Sequence, residues 1–212
     1  QEGVYILPIL LFVGASIGAV PAAIFLLEAN ALRNVSLYRF GFIALIGGGA
    51  VMIIVQFMPL WTFTTNEGRV VFAITEEILK LAAVVLLAYR LSTGGILNGL
   101  ALGAAVGAGF AVIESAGYLL QFGGVQFDFP QLTAVALNRG WMTVGSHVLW
   151  TAILAAALWA GKNPRSQFSI GLFLRPAFLI VLALVATFHV LWNSPIGGFP
   201  LWIALTVTTI YA

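Results

Sequence analysis

The 212-residue sequence contains no cysteine, which removes thiol nucleophiles, disulfides, thiolate zinc sites and iron–sulfur clusters from consideration. Charge is nearly as scarce. Asp, Glu, Lys and Arg make up 8% of the residues, against about 25% in soluble domains. Histidine occurs twice. The nine Lys and Arg are spread along the chain rather than gathered into a patch that could track phosphates, so nucleic acid is not an expected partner. What fills the sequence instead is apolar: 61% hydrophobic residues and a mean hydropathy of +1.07. Lipid is therefore the expected solvent. Hydrocarbon cannot hydrogen-bond an exposed backbone, so a spanning chain forms helices or a closed barrel, and long apolar runs without alternation select helices. The expected fold class is an all-α, polytopic transmembrane helical bundle.

Apolar runs between polar interruptions place spans at roughly 4–28, 38–60, 71–90, 95–120, 135–160 and 176–194. A seventh run begins near residue 198 and reaches Ala212 in fewer residues than a crossing needs, giving about seven spans. The first run lacks a basic leader, so it reads as a true span rather than a cleaved signal. Alternate connections differ in basic content. Arg33, Arg39, Arg90, Lys162, Arg165 and Arg175 fall on one set and Arg69 alone on the other, a count of six against one. The positive-inside bias then puts the N-terminus outside and the loops near 29–37, 91–94 and 161–175 in the cytoplasm. No composition shift divides residues 1–212, which are expected to form one membrane-embedded domain with a core at about 70–195.

A charge at the centre of a membrane helix costs on the order of 2.5–3.5 kcal/mol even on insertion scales, so intramembrane ionisable residues need a reason. Span 3 carries Glu76, Glu77 and Lys80, span 4 Glu114, span 5 Arg139 and His147, and span 6 His189 and Asn193. On the expected topology these residues fall in one band of the outer half of the membrane. Lys80 lies i,i+4 from Glu76 and i,i+3 from Glu77, so its ammonium can pair with one carboxylate and leave the other for chemistry. Gly99, Gly103, Gly107 and Glu114 share a face of span 4, where small residues admit a close neighbour. Arg139, Thr143, His147 and Thr151 recur at intervals of four on span 5. Two roles stand for Arg139, anchoring at the outer interface or steering a substrate carbonyl or neighbouring Glu. Asn193, just before Ser194 and Pro195, is equally suited to ending its helix. Trp61, Trp150, Trp192 and Trp202 read as interface anchors or lipid-facing bulk.

Four segments carry a resemblance to a family: E-E-I-L-K at Glu76 to Lys80, G-F-A-V-I-E-S-A-G-Y at Gly109 to Tyr118, Arg139 to Thr151 with S-H-V-L-W-T, and H-V-L-W-N at His189 to Asn193. Together they resemble the PrsW family of site-one membrane proteases, within the superfamily of CAAX prenyl endopeptidases and bacteriocin-processing enzymes. Ser115 departs from the pattern, where Asn follows the Glu in many relatives. The resemblance implies a prokaryotic cell membrane and cleavage of a membrane-anchored protein near its outer face, typically an anti-sigma factor. Carried over from the related endopeptidases, Glu76 would be general base, Glu77 its partner held by Lys80, and Asn193 a donor to the oxyanion.

Hydrolysis without Ser-His-Asp or Cys-His needs activated water, from a metal ion or from a carboxylate base. His147, His189 and Glu114 make a two-His, one-carboxylate set of the catalytic Zn2+ type, with Glu76 or Glu77 as base and Glu76 also a candidate ligand. A glutamate-only mechanism, with the Glu76 and Glu77 pair tuned by burial and mutual repulsion, remains the alternative. Two other classes compete. A proton-coupled transporter predicts polar residues along a path through both leaflets, and a non-catalytic scaffold predicts that Glu76→Gln leaves function intact.

Overall fold

The computed structural model describes residues 3–30, 35–89, 94–121, 129–163 and 167–193. The expected seventh span near 198, and Arg33, Arg90, Asp128, Arg165 and Trp202, lie outside the described residues. Those that are described form helices and no strand, in agreement with the all-α expectation.

Helix α1 runs from Gly3–Glu28. Helices α2 (Leu37–Ile43) and α3 (Gly49–Val55) are one rod joined by a single π-helical turn, Ala44–Gly48. The Ser36 hydroxyl opens that rod by accepting from Arg39 N at 3.3 Å. A short turn, α4 (Trp61–Thr64), leads into α5 (Asn66–Ala88), whose start is capped by Thr65 Oγ1 accepting from Gly68 N at 2.9 Å. Then follow α6 (Ile96–Leu119), α7 (Phe129–Val144), α8 (His147–Ala160), the short α9 (Ile170–Phe173) and α10 (Pro176–Trp192). Pro176 occupies the first turn of α10, where its missing N–H has no partner to lose. Among the described residues, three segments have the length and apolarity to cross a membrane: Leu11–Glu28, Leu37–Val55 and Ile96–Leu119. Apolar side chains such as Phe12, Phe25, Leu45, Ile53 and Leu86 project outward, as a lipid-facing surface requires.

The third of those segments is central: 67% of its apolar 18-residue stretch is buried, against 28% and 33% for the other two. Its small residues explain why. A Cβ on Gly99 would meet Ala155 O at 2.7 Å, and Cβ atoms on Gly103 and Gly107 would collide with the carbonyls of Thr151 and His147. The partners descend in number as the glycines ascend, so α6 and α8 lie antiparallel with their main chains in contact. On another side of α6, Gly109 faces the Ala44 carbonyl of the π-helical turn, and Gly48 in turn faces the α6 backbone at Gly109 and Phe110. Without a hydrophobic drive between helices in lipid, close packing of this kind is what holds them together.

Gly103→Leu is accordingly expected to lower stability by about 3 kcal/mol, at the upper end of the range for overpacking because backbone blocks the added atoms. Gly41→Ala, with nothing within 4 Å of its added carbon, should leave it unchanged. Thermal unfolding of the detergent-solubilised protein distinguishes the two variants. Equal melting temperatures would mean that the contact between α6 and α8 is looser than the structure shows.

One expected span differs. The run at 135–160 is two helices, α7 and α8, separated by a turn at Gly145 and Ser146 where Ser146 adopts φ −119°, ψ −118°. A Gly-Ser pair is a common cause of such a break. The interval-of-four stripe from Arg139 to Thr151 therefore does not run down one rod. His147 instead starts a new helix.

Candidate active site

Helix α5 turns Glu76, Glu77 and Lys80 inward, and none of the three has more than 1% of its side chain exposed. The expected pairing of Lys80 with one carboxylate is exceeded: Nζ lies 2.6 Å from Glu77 Oε1 and 3.0 Å from Glu76 Oε1. It also lies 3.0 Å from His147 Nδ1 and sits 4.9 Å above the Phe110 ring. A single ammonium thus neutralises part of the charge of two buried carboxylates and fixes the ring of a residue on α8.

The two imidazoles come from α8 and α10, with ring centroids 5.2 Å apart. His189 Nδ1 is 2.8 Å from Glu77 Oε1, leaving Nε2 3.8 Å from Glu76 Oε2, beyond hydrogen-bond range. His147 Nε2 is 3.1 Å from Glu114 Oε2, while its Nδ1 is 3.4 Å from Glu76 Oε1. Each ring therefore has one nitrogen on a carboxylate other than Glu76 and turns the second toward Glu76.

Glu114 is tied to Arg139, whose Nη2 is ion-paired with Oε2 and whose Nε lies 3.4 Å from the hydroxyl of Ser115. Ser115, the departure from the family pattern, thus supplies a contact to the same guanidinium. That guanidinium also stacks on Tyr118 at 4.4 Å. Of the two roles open to Arg139, partnership with a neighbouring Glu is the one the geometry displays.

Within this cluster, Glu76, Glu77, His147 and His189 each offer a ligand atom lying within 4.8 Å of the others. Glu114 adjoins the group through His147. Buried carboxylate oxygens without a hydrogen bond are a second sign of a site for a cation: Glu76 Oε2 and Glu77 Oε2 have none, and Glu76 Oε1 has only its ion pair with Lys80. Imidazole and carboxylate together suit a borderline ion such as zinc. The residues present fit a metal centre.

A cleft of about 700 Å³ opens onto these groups. Glu76 and Glu114 reach it, and Asn193 and Arg69 also line it. Asn193 ends α10, with its N–H on His189 O at 3.0 Å, and also lines the cleft. Glu77, by contrast, is enclosed behind Lys80 and His189.

Trp150, expected as an interface anchor or lipid-facing bulk, is instead fully buried, its ring 5.6 Å from His147 and 5.3 Å from His189. Its place three residues after His147 is the only signal in the sequence, and it is weak, because bulky apolar residues occupy most positions of α8. Phe110 closes the other side of His147 at 5.1 Å and shows the same ambiguity. These rings wall off the imidazoles from lipid.

Comparison with known proteins agrees with this geometry. The family model described as PrsW family intramembrane metalloprotease matches residues 8–212. No curated protein and no solved structure matches the chain.

Proposed function

We propose that this chain, which belongs to the PrsW family of intramembrane metalloproteases, cleaves a membrane-anchored protein near the extracytoplasmic face of a prokaryotic cell membrane, in the manner of a site-one protease acting on an anti-sigma factor. Membership makes it a hydrolase and an integral membrane protein. The finer topology is our reading of the basic-residue count: a single membrane-embedded unit of about seven spans, N-terminus outside, with the site in the outer half.

The observation that carries the assignment of roles is Glu76, a buried carboxylate at the cleft with no hydrogen bond on Oε2, the Lys80 ammonium beside Oε1 and both imidazoles turned toward it. His147, His189 and Glu114 would hold a zinc ion. Glu77 would orient His189 through Nδ1 and Arg139 would orient Glu114, the outer partners that a metal ligand needs. When bound, such an ion makes water acidic enough to ionise near neutrality and polarises a carbonyl.

Glu76 accepts a proton from water as the water oxygen bonds to the scissile carbonyl carbon. The side-chain amide of Asn193 donates to the oxygen that becomes negative. Glu76 then returns the proton to the departing amine as the C–N bond breaks, giving a carboxylate and a new N-terminus. Lys80 holds Glu77 against His189.

Elemental analysis of the purified protein tests the metal assignment. Near-stoichiometric zinc is expected in the wild type and little in a His147→Ala, His189→Ala double variant or in Glu114→Gln. Glu77→Gln should weaken binding by about 10–100-fold without removing it. Metal-free wild-type protein would defeat the zinc site and leave the glutamate-only mechanism.

A further inference from the structure

We infer that Arg69 is a specificity-determining residue that reads an acidic side chain of the substrate, about three residues to the extracytoplasmic side of the bond that is cut. This deepens the proteolytic reading above and rests on it.

Arg69 lines the same cleft as Glu76 and is half-buried there. Both residues are on α5, seven positions apart, so two helical turns and about 10.5 Å separate them along one face. Apolar and aromatic groups, among them Val55, Phe72 and Phe110, line the space with them.

No acidic group among the described residues forms an ion pair with the guanidinium. Glu67 is the nearest acid in sequence, and a residue two positions away on a helix does not face it. Nor does Arg69 fit the charge pattern of the chain. It is the one basic residue on its set of connections, against six on the opposite set. A cation placed against the topological bias, at a cleft wall and with no counter-ion among the described residues, is explained by an anion that arrives with the ligand.

The helix supplies a measure of where that anion sits. An extended peptide advances about 3.3 Å per residue, so the 10.5 Å to Glu76 corresponds to about three residues of substrate. Because the start of α5 lies toward the outside in this topology, the acidic residue falls on the extracytoplasmic side of the cut. Arg suits the task through its planar, always-charged fork, which can meet a carboxylate with two hydrogen bonds.

The test expresses the full chain in a heterologous host, isolates membranes and maps new protein N-termini by mass spectrometry. Wild type is compared with Glu76→Gln, Arg69→Gln, Arg69→Lys and Arg69→Glu. Termini made by the wild type and missing in Glu76→Gln should show Asp or Glu two to four residues from the cut on the outer side. Arg69→Gln should reduce the preference for acidic over neutral residues there by about tenfold, and Arg69→Lys should largely keep it. Arg69→Glu should move it toward Lys and Arg. Glu76-dependent cleavage without acidic enrichment, or with enrichment unaltered in Arg69→Gln, would overturn the inference while the protease reading stood. Absence of any Glu76-dependent terminus would remove the protease reading, and this inference with it.

Discussion

Glu76→Gln is expected to slow peptide hydrolysis by about 10³-fold or more while the purified variant retains its metal. The change is nearly isosteric, so the cleft and the neighbouring rings keep their places, but an amide cannot take a proton from water. General-base catalysis alone accounts for about 10²–10⁴ in rate. Retention of metal is the diagnostic half of the prediction. The ring nitrogens facing Glu76 at 3.4 and 3.8 Å would equally suit a carboxylate that ligates the ion, so only the metal content separates base from ligand. Activity lost together with metal would transfer Glu76 to the ligand set. Full activity with metal bound would eliminate it as the base and favour the scaffold alternative.

The second large effect is expected on folding. Lys80→Met keeps the length of the side chain and its apolar stem but withdraws the cation from two carboxylates that are at most 1% exposed. Removing one partner of a buried ion pair costs about 3–5 kcal/mol, most of it from the charge left behind. Here the imidazole of His147 loses its contact with Nζ as well. The variant should give a much reduced yield of monodisperse protein and a lower melting temperature. Adding Glu77→Gln to Lys80→Met should restore part of the loss, since it deletes the carboxylate that lies closest to Nζ. A single variant as stable as the wild type would show that water or another cation reaches the cluster.

Much of the cluster was legible in the sequence for a reason particular to membranes: ionisable residues in apolar spans are expensive, so the few present stand out. Glu76, Glu77, Lys80, Glu114, Arg139, His147 and His189 all meet in space, as the common depth expected for them implied. The glycine face at Gly99, Gly103 and Gly107 was readable from its spacing, and its partner proved to be the backbone of α8. What was hidden is what an apolar background conceals. The turn at Gly145 and Ser146 has no flanking polar run to mark it, because both sides of the break are buried in the same bundle. The burial of Trp150 was equally invisible, since composition cannot distinguish a Trp facing lipid from one packed on two imidazoles. The π-helical turn at Ala44–Gly48 lies where the chain closely approaches α6, a contact between distant segments that no local pattern announces.

The backbone contact between α6 and α8 sets the working tolerance of the site. Gly107 rests on the carbonyl of His147, and Glu114 stands two turns further along α6, within 3.1 Å of that same histidine's ring. The gap between these two side chains is thus gauged by parts with no rotamers, and so with no play of their own. A larger residue at 107 would wedge the helices apart and pass its added width directly to the ring, as a shim displaces everything mounted beyond it. Alignment of this kind is insensitive to the identity of the lipid-facing side chains, which can vary without the site going out of true.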